Sequence, residues 1–501
     1  MNSANSKCPL RWIATAHRGV ISAVAAAMLA VTAPTVLFAE DLPDLGESAR
    51  ADLSPQIERQ VGESIMNDIR LNEPTYVDDA EISDYLNHLG GRLVAASPDP
   101  GGSFYFFAIR DSSVNAFAMF GGFVGVNTGT ILTAQTESEL AGVLAHEISH
   151  VTQNHLARQI SKEKQNSVAS MISMAVGILA ARSNSQVAGA AIASAQAGAV
   201  QAQLAYSRDF EREADRFGYL ALEKAGFDVR GMAAFFQRLQ MAGRVYENSA
   251  PIYLRSHPLT VERISDMQNR AQNAPYRQVV DSVDFQLVRA KLRAQQGTQR
   301  DAITEFETQI AERKYSSALA AHYGLARAYL RAKDLAGAQR ELDAVKALSK
   351  IPTTGSPLIY GLAGEIRAAA GDLPGALAAY RDGLQRYPAA HSLIYACAET
   401  QFLLRQYDAA LRFIDQELQR YPSDFKLYEL QAKNYAGQDK RLQQHRSLAE
   451  FYALQGQLGQ AIEQLLIAQR AGDGNFYEQS VVDARLRELR RQQDDEKKRR
   501  N

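Results

Sequence analysis

Cysteine is almost missing from this sequence: Cys8 and Cys397 are its two copies. Two cysteines so far apart, one of them in a leader-like segment, exclude a disulfide framework as the source of stability. Cys397 stands alone in a predicted helix and reads as core packing. An excess of one charge is missing as well, with 55 Lys and Arg against 56 Asp and Glu. Without a net field there is no electrostatic case for nucleic acid or for a strongly acidic substrate. Long apolar runs are confined to the N-terminus. There Lys7, Arg11 and Arg18 precede an alanine-rich stretch from Val20 to Phe38, followed by Ala39-Glu40. That is the layout of a secretory signal peptide over residues 1–39, with an uncleaved membrane anchor as the alternative. No later apolar run reaches the roughly 18 residues of a membrane span, so the exported chain is expected to be soluble.

Most of what is present has helical periodicity. Ile57, Val61, Ile65 and Ile69 form one stripe, and Tyr85, Leu86, Leu89 and Leu93 another, with Gly90-Gly91 near its end. Phe104 to Ile109 has strand composition, and Asn115 to Ile131 reads as a glycine-punctuated hairpin. A helix is expected over 137–160. Residues 161–205 are rich in Ala, Ser, Gln and Gly and low in charge. Such a segment buries against its own domain, a substrate or a lipid surface, so a helical cover over a cleft and peripheral membrane contact are both expectations.

From about residue 280 the sequence becomes self-similar. Leu335-Ala336-Gly337-Ala338 recurs as Leu373-Pro374-Gly375-Ala376 and as Tyr407-Asp408-Ala409-Ala410, with Asp301-Ala302-Ile303 and Gly459-Gln460-Ala461-Ile462 as further units. Arg386-Tyr387-Pro388 returns as Arg420-Tyr421-Pro422. Small residues let paired helices approach and the closing Pro ends the second helix, which is the tetratricopeptide design. About four repeats with atypical ends are expected, stacked into an α-solenoid that binds protein partners. The tail is highly charged from Arg485 and reads as disordered.

The chemistry is concentrated in His146-Glu147-Ile148-Ser149-His150. On a helix His146 and His150 lie one turn apart on one face, able to reach one zinc ion, with Glu147 beside them as a base. A catalytic zinc takes three protein ligands and leaves one position open, so a third ligand is the test of the motif. Glu211 and Asp215 supply candidates at i, i+4: one to bind metal, the other to hold a ligand imidazole. Glu213 points about 200° away from Glu211, and Glu211 is the choice. His155, five residues past His150, is turned about 140° from the zinc face and reads as structural. His257 precedes a proline and is either an oxyanion stabiliser, a fourth ligand that holds the site latent, or a loop histidine.

Together, His-Glu-Ile-Ser-His, Glu-x-x-Ala-Asp-x-x-Gly from Glu211 to Gly218, Asn115-Ala116-Phe117-Ala118 with Gly121-Gly122, and Ser256-His257-Pro258 resemble the Ste24/HtpX/OMA-type zinc peptidase family. With a leader and C-terminal repeats, the chain is most similar to that family's periplasmic protease-chaperone branch. The resemblance implies a mostly α protein: a zincin-like metallopeptidase domain with a small sheet over 40–275, tetratricopeptide repeats over 276–480, and a tail over 481–501. It implies one Zn2+ per chain on His146, His150 and Glu211, with Glu147 as catalytic base, Asp215 orienting a ligand, and His257 at the site. The segment Phe117 to Asn127 is expected to supply an edge strand beside the cleft, with Gly121, Gly122, Phe123, Val124 and Gly125 as the residues that hold substrate extended. The implied function is peptide hydrolysis of stalled or misassembled outer-membrane proteins, with the repeats reaching the β-barrel assembly machinery. The alternative is a chaperone or scaffold for that assembly, with a latent or structural zinc site.

Overall fold

A computed structural model describes residues 54–98, 101–162, 208–245, 252–274, 277–349 and 355–500. The expected leader and nearly all of the expected 161–205 cover lie outside the described residues. The first helices are α1 (Pro55–Asn72) and α2 (Ala80–Ala96), the latter capped by Asp79, whose carboxylate accepts from the backbone N–H of Glu81 and Ile82. The Tyr85, Leu86, Leu89, Leu93 stripe is buried as its spacing requires.

Strands β1 (Tyr105–Ile109), β2 (Ala116–Ala118) and β3 (Phe123–Asn127) form one sheet in the order β1-β3-β2. β1 runs parallel to β3, and β2 pairs antiparallel with it across a single 3-10 turn over Phe120–Gly122. The hairpin stops at Asn127, where the chain turns into helix α3 (Thr128–Thr133) and does not continue as strand to Ile131. This order confines the expected 117–127 edge to its start in β2 and corrects the placement of Phe123, Val124 and Gly125 on it. β3 is central, so Phe123, Val124 and Gly125 face β1 on one side, and Val124 and Gly125 also face β2 on the other. Gly125 lies under the Phe117 ring, which a Cβ would approach to 2.3 Å, and Gly122 has φ +81° against the Ser103 carbonyl. These glycines are demanded by packing and backbone conformation. The outer side of β1 is occupied too: the Asn87 amide pairs with both Phe106 N–H and C=O, and Val77 N–H donates to Ala108 C=O. β2 is therefore the sheet's edge strand.

Helix α4 (Glu137–Thr152) runs through the core with every residue buried except Val151. It ends sooner than the expected 137–160 helix because Asn154 takes φ 53°, and α5 (His155–Lys162) starts a new direction. Helices α6 (Arg208–Lys224) and α7 (Arg230–Val245) lie against α4, followed by α8 (Ile252–Ser256) and α9 (Val261–Asn273). Gly218 of α6 sits where a Cβ would come within 3.1 Å of the Ala145 backbone, so the two helices carrying the candidate ligands approach backbone to backbone.

The repeat region comprises α10 (Val283–Ala294), α11 (Gln299–Ala311), α12 (Ala318–Arg331), α13 (Leu335–Leu348), α14 (Pro357–Ala369), α15 (Leu373–Arg386), α16 (His391–Leu403), α17 (Tyr407–Arg420), α18 (Phe425–Ala436), α19 (Arg441–Leu454), α20 (Leu458–Gln469) and α21 (Phe476–Arg500). The recurring small residues Ala302, Ala338, Ala376, Ala410 and Ala461 are all buried where helices pair. The first part of the charged tail is a packed helix, where the sequence reads as disordered. Val482, Leu486 and Leu489 form a stripe that packs under α19 and α20, and Arg485 makes a two-pronged ion pair with Glu450. Three apolar residues among charges are too few to register as composition, yet at this spacing they share one helix face. Leu489→Ala is expected to cost about 2–5 kcal/mol, read as a lower thermal transition, whereas a disordered tail would tolerate it.

The repeats and the region before them share one hydrophobic cluster running from Val77 to Ile366. At its border Lys291 of α10 lies 2.5 Å from Asp79 and 2.6 Å from Glu81, and Arg327 of α12 also reaches Glu81. Glu137 at the start of α4 accepts hydrogen bonds from Ser282 N–H and O–H, which ties α4 to the entrance of the repeats.

Candidate metal centre

α4 places His146, Glu147 and His150 in the interior, α6 brings Glu211 and Asp215 opposite them, and the end of α8 delivers His257. All six are at most 3% exposed. Donor atoms of His146, His150, Glu211 and His257 lie within 4.8 Å of one another. Nε2 of His146 is 3.0 Å from Nε2 of His150, 3.3 Å from Nδ1 of His257 and 3.5 Å from Glu211 Oε2. Glu211 Oε1 is 3.6 Å from His150 Nε2 and 3.0 Å from His257 Nδ1. A tetrahedral ion with bonds of about 2.0–2.1 Å holds its ligands roughly 3.3 Å apart, so these separations fit one metal ion. The chemistry of the donors fits as well: imidazole nitrogens gathered on a buried carboxylate suit a borderline divalent ion such as zinc.

The charges of the cluster follow from its burial and its neighbours. Burial disfavours charge on His146, but Asp215 and Glu211 outweigh it and hold this imidazole up at about 9. His150 is pushed the other way, well below the usual histidine range, by burial and then by the charge of His146. Glu211 stays ionised against its burial, held well below the ordinary carboxylate range by His257, His146 and Arg263. The outer nitrogen Nδ1 of His146 is 3.0 Å from Asp215 Oδ1, which orients the ring and leaves Nε2 toward the donor cluster. Glu147 Oε1 lies 3.4 Å from His257 Nε2, beside the cluster and outside its donor set.

Gly121, Gly122, Phe123, Val124 and Gly125 are not part of this cluster. Glu213, set aside as a ligand, faces His155 and Arg158. Sequence reasoning missed Arg263. From the first turns of α9 it clasps Asp215 at 2.6 and 2.8 Å, reaches Glu211 Oε2 at 2.7 Å, and donates to the Pro258 carbonyl at 2.8 Å. It thus ties the His257-Pro258 turn to both carboxylates. Its spacing from His257 was the one available signal, and one arginine among many surface ones does not stand out until it is buried.

The model of peptidase family M48 matches residues 80–271, the stretch that contains all of these groups. A Vibrio cholerae relative is 40% identical over 58% of this chain, a match that spans 60% of that relative's length. The beta-barrel assembly-enhancing protease of Yersinia pestis is 32% identical over 91% of this chain and 93% of its own length. Its counterpart in Escherichia coli (strain K12) is 31% identical over 95% and 96%, respectively. Similarity of this extent runs through both the peptidase region and the repeats, and the chain therefore belongs to the family of beta-barrel assembly-enhancing proteases, metalloproteases with a peptidase family M48 domain.

Proposed function

We propose that this protein is an exported, periplasmic zinc endopeptidase that cleaves stalled or misassembled outer-membrane proteins and rests in a latent state. The observation that carries the reading is the four-cornered donor cluster with Glu147 beside it. His146, His150 and Glu211 would hold one zinc ion, which when bound polarises the scissile carbonyl and makes water acidic. Glu147 takes a proton from the attacking water and returns it to the leaving amine. An extended substrate would pair with β2, the edge strand packed against α4. The repeats would contact clients or the β-barrel assembly machinery, in keeping with the names of the relatives.

His257 distinguishes a ready enzyme from a resting one. Its Nδ1 occupies the fourth corner of the cluster, and its ring is stacked on Tyr253 at 4.6 Å. A closed set of four protein ligands leaves no position for water or substrate. Opening would swing His257 away and expose that corner. The same closed arrangement favours a second reading, a scaffold with a structural ion, although such a site has no use for a base at Glu147.

The test is digestion of an unfolded outer-membrane β-barrel protein, with chelation expected to stop cleavage and zinc to restore it. His257→Ala is expected to cleave faster, by on the order of tenfold, because the competent state no longer competes with the closed one. A fall of roughly 10²–10³-fold would instead make His257 an oxyanion donor and sink the latency reading.

A further inference from the structure

The two imidazoles of α4 are held at their outer nitrogens in different ways. His146 meets the Asp215 carboxylate directly. On His150 the Nδ1 atom lies 2.8 Å from Nδ1 of His155, and Nε2 of His155 is 3.2 Å from Glu213 Oε2. Arg158 donates to the same Glu213 oxygen at 2.9 Å. His155 is fully buried, stacked on Phe210 at 4.5 Å with an interplanar angle of 12°, and Arg158 covers that ring from 4.5 Å. An unbroken helix would turn His155 away from the metal face. The chain breaks at Asn154, and the break returns His155 to the back of His150.

Proton bookkeeping fixes the tautomers. Two Nδ1 atoms 2.8 Å apart cannot both carry hydrogen or both be bare. With Nε2 of His150 turned toward the metal corner, its Nδ1 carries the hydrogen and donates. His155 then accepts at Nδ1, carries its own hydrogen on Nε2, and donates to Glu213. One assignment satisfies every contact in the row.

We propose that His155 is a positioning residue which, anchored by Glu213, holds His150 in the tautomer and ring orientation that presents Nε2 to the metal. His155 does not itself touch the ion or the substrate. The proposal rests on the reading of His150 as a metal ligand.

The test is zinc affinity of the purified chain, measured by competition with a chelator, alongside thermal unfolding of the metal-free protein. The wild-type chain is expected to hold one zinc; failure to hold it would overturn both the metal reading and this one. His155→Phe keeps the stacking on Phe210 and removes the acceptor, so zinc should bind roughly 10–100-fold more weakly at a similar unfolding temperature. His155→Asn restores an acceptor near the Nδ1 position and should recover most of the affinity. Wild-type affinity in the folded Phe variant, or an Asn variant no better than the Phe variant, overturns the proposal while leaving the metal reading intact. Should the Phe variant fail to fold, Glu213→Ala decides at a partly exposed position. Weaker zinc binding there supports the relay, and unchanged binding overturns it.

Discussion

Glu147→Gln is expected to leave zinc bound and the fold intact while peptide hydrolysis falls by roughly 10²–10⁴-fold, the usual contribution of a positioned base. Glutamine matches the side chain in size and cannot take up a proton from water. Glu147 is outside the donor cluster, so metal content should not change with it. The position is fully buried on a helix packed on several sides, and a neutral amide is easier to bury than a carboxylate. The comparison is best made with His257→Ala as the common background, where latency does not mask the chemistry. Undiminished hydrolysis in the Gln variant would place the base elsewhere, and absence of hydrolysis from the His257→Ala background itself would leave the scaffold reading as the better one.

The second large effect is on stability. Arg263 is buried between two carboxylates, and Arg263→Met strips both of a partner without removing either charge. Breaking a buried pair in this way costs about 3–5 kcal/mol. Asp215 is buried as well, and Arg263 and His146 nevertheless keep its carboxyl below the ordinary range. Depressed carboxylate values of this kind contribute stability that is present above the unfolded-state value and lost as pH falls through the folded one. In the variant the carboxylates lose that support and favour protonation. The gap between the unfolding temperatures of the metal-free wild type and variant should therefore narrow as pH drops from 7 toward 4. Zinc should narrow it at neutral pH, since the ion restores positive charge beside Glu211. A gap that stays constant across pH and zinc would mean that Arg263 acts by packing alone.

The two-histidine helix was legible because a four-residue separation on a helix is a local geometric fact: His146 and His150 share a face wherever that helix lies. Glu211 and Asp215 were legible for the same reason. Both were fixed relative to each other before anything was known of their distance from α4. His155 shows the limit of that logic. A single residue in the left-handed region, Asn154, invalidates every angle counted across it, and Asn154 carries no unmistakable signature. The glycine-rich strand was misplaced because composition reveals a strand and says nothing about which strands flank it. Pairing on both sides is decided by residues at a distance, Tyr105 to Ile109 and Ala116 to Ala118.

Sequence alone thus determined the local periodic features: the repeat unit with its buried alanines, the two-histidine face, the carboxylates one turn apart, and the balance of charge. Tertiary structure alone decided which of these meet. It brought His257 to the fourth corner, set Arg263 between two carboxylates, and packed the charged tail under α19 and α20. It also joined the repeats to the peptidase region through Lys291, Arg327 and Glu81. The physical reason is one of range. Helical geometry repeats every few residues and is written into neighbouring positions, whereas burial and pairing depend on groups far apart in the chain, whose meeting only the folded core specifies.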